Sequence, residues 1–218
     1  MSDFSDSMMR IAVFAIPFLL GVICHEVAHG WMALRLGDPT AKAAGRLTLN
    51  PIPHMDPMGT MVFIVTSLLP AGVVFGWAKP VPVDPRYFKD PRRGMMAVSA
   101  AGPAANFVLA ALFYAVFRLM GTGGLHGSGA FTSFFGAPLM NIVVAGIFVN
   151  AILGVLNLIP IPPLDGSKIL AGLLPRSLAM RYLSIERYGL LILIAFIFLG
   201  GLDYIFAPVI RFVYSLLG

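Results

Sequence analysis

The stretch IAVFAIPFLLGVICHEVAHG, residues 11–30, decides how the chain is read. Residues 11–24 are apolar almost without interruption, enough with their flanks to cross a hydrocarbon layer about 30 Å thick. His25, Glu26 and His29 then stand where a lipid-facing helix would simply continue. A carboxylate at mid-bilayer costs about 2.5–3.5 kcal/mol on insertion scales, so these residues need a compensating partner.

Long apolar runs recur at 61–76, 95–117, 139–160 and 188–208. Of the 218 residues 58% are hydrophobic and 11% charged, with a mean hydropathy of +0.88. Soluble domains carry about 25% charged residues, so the composition is that of a membrane protein. The expectation is an all-α polytopic protein, one domain over residues 1–218 with about 4–6 membrane segments. The lipid bilayer is its expected surroundings. A net charge of +5 fits basic cytoplasmic loops, and no nucleic-acid partner is expected. Cys24 is the one cysteine, which excludes an internal disulfide. MSDFSDSMMR holds two aspartates against one arginine, a poor secretory leader, so the first apolar run is expected to be retained.

A first helix is expected over 7–36, carrying HEVAH and stopping at Gly37-Asp38-Pro39. Between the first and second full spans, 37–94, short membrane-associated β-strands are expected at 45–50 and 77–83. GRLTLNP alternates, and the prolines of GWAKPVPVDP suit a sheet edge, which could take an extended peptide as an added strand. Residues 61–76 are interrupted by Pro70, Gly72 and Gly76, so they are expected to re-enter the membrane rather than cross it. Spans follow at 95–120 and 138–166, the second ending in NLIPIPPLDG; then come a short segment with a basic loop, 167–187, and a last span, 188–208. Residues 35–94 hold eight lysines and arginines and 168–187 hold four, whereas 119–138 hold none. The positive-inside tendency puts the first two regions in the cytoplasm, and with them the end of the HEVAH helix and the LDG turn.

On a helix His25 and His29 project from one face and can share a metal, while Glu26 is offset and can reach a water beside it. In a chain with four histidines and Glu186 as its other glutamate, a chance HExxH is on the order of one in a thousand. Zinc suits these donors, and a structural zinc returns about 10–16 kcal/mol, enough to offset two buried carboxylates. A catalytic zinc needs a third protein ligand and an open position. Candidates are His54, Asp56, His126, Asp165 and Asp203. His126 and Asp203 fall on the outer side by the charge pattern; Asp165, in PPLDG, is on the same side as HEVAH, and His54 and Asp56 compete with it.

HEVAH at 25–29 and NLIPIPPLDG at 157–166, in this order on separate membrane segments, resemble the site-2 proteases, which are intramembrane zinc metalloproteases. GRLTLNPIPHMDPMGT at 45–60 and AGPAAN at 101–106 are similar to the family's small bacterial and archaeal members. The resemblance implies one Zn2+ per chain on His25, His29 and Asp165, with Glu26 as catalytic base and Asn157 holding the substrate carbonyl or its oxyanion. It implies transmembrane proteins as substrates and a multi-pass location in a prokaryotic cell membrane, with the active site toward the cytoplasm. No stretch is available for a PDZ insertion or a nucleotide-sensing tail, so substrate choice stays open. His54 is ambiguous between a ligand or substrate contact near the zinc and a brace for its proline-rich turn, and Asn106 and Asn150 are expected to make interhelical hydrogen bonds. Two rivals remain, a membrane metal-ion transporter and a non-catalytic scaffold. The transporter would have no need of a glutamate between its histidines.

Overall fold

The computed structural model describes residues 2–68, 76–122 and 130–218. Helix α1 runs Ser2–Arg35, α2 Thr40–Ala43, α3 Pro57–Leu68, α4 Pro91–Thr122 and α5 Ala130–Leu158. After α5 come α6 (Asp165–Leu173), α7 (Arg176–Leu183), α8 (Gly189–Phe198) and α9 (Gly201–Leu217). The helices α1, α4 and α5 pack on one another, and α6 lies against α4. That arrangement is what brings distant parts of the chain to one point.

Among the described residues three stretches are long and apolar enough to cross a membrane: Val13–Arg35, Pro91–Gly121 and Gly136–Leu158. Among the described residues a fourth crossing needs the pair Arg176–Phe198 and Gly201–Leu217, bent by 66°. The run read as a last span is therefore broken, at Gly200, whose φ of +76° is a conformation that glycine adopts without strain. Pro17, Pro103 and Pro138 lie inside α1, α4 and α5. Membrane helices tolerate such prolines because neighbouring helices shield the freed carbonyls.

The short strands expected at 45–50 and 77–83 are not formed. Among the described residues the one trace of pairing is an isolated antiparallel bridge between Met55 and Ala78. Two physical causes account for this. In 45–52 side chains capture the backbone donors: Asn50 N donates to Thr48 Oγ1 at 3.1 Å and Ile52 N to Asn50 Oδ1 at 3.1 Å, which turns the chain. In 77–83, Pro80 and Pro82 have no N–H to give to a ladder. Of the remaining donors, Lys79 N makes the bond of that single bridge, to His54 O at 2.8 Å, and Val81 N goes to a carboxylate in α1. The segment is an extended strap and not a strand, so the sheet edges expected to take an extended peptide are absent.

The strap is tied at its end as well. Fully buried Asp38, just past α1, accepts from Thr40 N at 2.9 Å and from Asp84 N at 2.7 Å. Helix α3 packs on α1 through stacked rings of Phe63 and Phe18, 5.0 Å apart. Whether 61–76 re-enters turns on residues 69–75, which lie outside the described residues.

Candidate active site

His25, Glu26 and His29 occupy the second half of α1. The four-residue spacing sets the two imidazoles edge to face, centroids 4.5 Å apart, with their Nε2 atoms 2.9 Å from each other. Asp165 is the first residue of α6. Its Oδ2 lies 3.0 Å from His25 Nε2 and 3.1 Å from His29 Nε2. Three ligand atoms thus form a nearly equilateral triangle, and their side chains are at most 12% exposed.

The donor set fits zinc. Bonds of about 2.0–2.1 Å in a tetrahedron separate ligand atoms by about 3.3–3.4 Å, so the triangle needs to open by only a few tenths of an ångström. Both far ring nitrogens are already engaged: His25 Nδ1 is 2.7 Å from Asn106 Oδ1 and His29 Nδ1 is 2.7 Å from Val98 O. These oxygens only accept, so each Nδ1 carries the proton and each Nε2 turns a lone pair to the centre.

Two glycines make the closeness possible. At Gly102 of α4 an added Cβ would lie 2.5 Å from His29 Nε2 and 2.6 Å from His25 Cε1. At Gly166 it would lie 2.2 Å from Leu158 O, so α6 starts directly against the end of α5. AGPAAN places Gly102 and Asn106 one helical turn apart, on the face of α4 that meets α1. Sequence reasoning missed this joint role, although the four-residue spacing was a usable signal.

Glu26 is half-buried and outside the triangle; its Oε2 accepts from Val81 N of the strap at 2.7 Å. The other candidates go elsewhere. His54 is buried with Nε2 2.9 Å from Thr48 O, bracing the turn, and it is not among the gathered side chains. Asp56 accepts from Gly59 N at 2.8 Å and caps α3. Asp203 is exposed in the first turn of α9, and His126 lies outside the described residues. Asn157 Nδ2 donates to Leu153 O, one turn back on α5, at 3.0 Å.

The family model for peptidase family M50 matches residues 13–200. The chain belongs to peptidase family M50. It is 38% identical over 177 residues to "Putative zinc metalloprotease YwhC" of Bacillus subtilis, covering 81% of this chain and 76% of that one. It is 32% identical over 156 residues to "Putative zinc metalloprotease Rip2" of Mycolicibacterium smegmatis, and 31% over 153 residues to the protein of that name in Mycobacterium tuberculosis. Each mycobacterial match covers 68% of this chain and 52% of the relative, so the chain spans about half their length. No solved structure matches it. M50 is the site-2 protease family, and membership together with the apolar helices supports a membrane metalloprotease.

Proposed function

We propose that this M50 protein hydrolyses peptide bonds in or next to the transmembrane helices of membrane-protein substrates, as in regulated intramembrane proteolysis. The observation that carries the proposal is the meeting of two imidazoles, on a helix apolar enough to span a membrane, with the carboxylate that opens α6, beside Glu26. His25, His29 and Asp165 would hold one zinc. Zinc there supplies Lewis acidity, which acidifies water toward a pKa of about 7 and polarises a carbonyl.

The remaining work falls to the chain's own groups. Glu26 takes a proton from the attacking water and delivers it to the leaving amine. The N–H of Val81 keeps that carboxylate from swinging away. Asn157 turns from Leu153 O to the substrate carbonyl when a peptide is in place. The basic segments at 35–94 and 168–187 support a multi-pass topology in a prokaryotic cell membrane, with the site opening toward the cytoplasm.

The transporter rival wants further ligand groups along other spans, and among the described residues His25, His29 and Asp165 form the one such group. The scaffold rival has no use for Glu26. Cleavage of a transmembrane-helix reporter in liposomes, with metal content measured in parallel, tests the proposal. Glu26→Gln should keep zinc and lose cleavage by about 100-fold or more. Zinc-free wild type, or undiminished cleavage by Glu26→Gln, would sink it.

A further inference from the structure

Asn106 and Asn150 are completely buried where α1, α4 and α5 meet, 0% exposed. Their hydrogen bonds have a direction. Asn150 Nδ2 donates to Gly146 O at 3.0 Å, and because that carbonyl only accepts, Asn150 Oδ1 is turned toward α4. Asn106 Nδ2 then meets two acceptors, Asn150 Oδ1 at 3.1 Å and Gly21 O at 3.1 Å. Its own Oδ1 is left facing His25 Nδ1 at 2.7 Å. Turning Asn106 over would set its oxygen against those of Asn150 and Gly21, and turning Asn150 over would set acceptor against acceptor at Gly146 and donor against donor at Asn106.

We propose that Asn106, oriented by Asn150, is a positioning residue that fixes His25 as the Nδ1–H tautomer and so presents its bare Nε2 to the metal. The proposal rests on the zinc reading above. His29 needs no such device, since Val98 O, a backbone carbonyl, cannot turn over. The tautomer of His25 alone is entrusted to side chains. The helix approach is built for the relay: at Gly21 an added Cβ would lie 2.6 Å from Asn150 Oδ1.

The test uses the full chain in detergent with 15N-labelled histidine, metal-free, at a pH where both imidazoles are neutral. Wild type should show His25 protonated on Nδ1, and Asn106→Leu should move that proton to Nε2. Zinc affinity, measured by competition with a chromophoric chelator, should fall by about 10- to 100-fold in Asn106→Leu. Asn106→Asp keeps an acceptor toward His25 and should restore the Nδ1–H form, with an affinity between those of Asn106→Leu and wild type because its second oxygen faces Asn150 Oδ1 and Gly21 O. Asn150→Leu removes one of two acceptors holding Asn106 and should lose less.

A wild-type His25 protonated on Nε2 would overturn the proposal, as would an Asn106→Leu protein with Nδ1–H and full zinc affinity. Should Asn106→Leu not fold, the wild-type spectrum and Asn150→Leu decide. Wild type that shows Nδ1–H yet binds no zinc would count against the metal reading and not against the relay.

Discussion

The backbone N–H of Val81 donates to Glu26 Oε2 at 2.7 Å. The bond joins the HEVAH helix to a segment that has passed through α3 and returned. Neighbouring prolines at 80 and 82 leave Val81 N as the donor between them. A hydrogen bond to a charged group contributes about 1.5–3 kcal/mol, which is about 10- to 100-fold in rate if the carboxylate must be held to act. Val81→Pro, which deletes the N–H, should reduce reporter cleavage by that factor while zinc stays bound. Val81→Ala keeps the N–H and should stay close to wild type. Equal activity in the two variants would show that the bond does not aim the carboxylate.

Gly102→Ala places a methyl group 2.5 Å from His29 Nε2, on the metal side of the ring. Backbone of α4 and both imidazoles would have to part, at about 1–3 kcal/mol for an overpacked contact. Zinc affinity should fall in this variant more than apoprotein stability does. Chelator competition and thermal unfolding of the metal-free protein check the two quantities separately.

Zinc bound only to the folded chain raises stability by about 4 kcal/mol when its free concentration is a thousand times the dissociation constant. Chelation should therefore lower the melting temperature of wild type. Asp165→Asn loses the carboxylate that α6 brings to the histidines, and its melting temperature should barely respond to chelator. A chelator shift of equal size in both proteins would mean that the metal is held elsewhere.

Asn157→Ala removes a back-bond to Leu153 O, a local contact of about 1 kcal/mol at most. If the amide turns to the substrate carbonyl, cleavage should fall by about 100- to 1,000-fold with zinc and melting temperature unchanged. Kinetics on a reporter, compared with Asn157→Gln, separate this from a purely helical role.

The helical, membrane-spanning character was legible because it depends on composition summed over long windows. HEVAH and PPLDG stood out for a different reason: each is a local pattern whose residue types are costly in an apolar setting. What was not legible depended on partners far along the chain. The strap at 77–83 reads as an extended sheet edge, yet the N–H groups of Lys79 and Val81 go to His54 and Glu26. Thr48 and Asn50 spoil the other expected strand by bonding their own backbone. Asn106 read as an ordinary interhelical polar residue, and only the packing of α4 on α1 turns its oxygen to His25. The bend at Gly200 was hidden because residues 188–208 are apolar on both sides of it.

Asp165 does not belong to the helix that carries the histidines; more than half the chain separates it from His29. A ribosome therefore delivers α1 to the membrane long before the third ligand exists. On the function proposed, the nascent chain carries two imidazoles without their carboxylate and is inert toward its neighbours until α6 has emerged. The length of chain between the second ligand and the third is itself the safety catch.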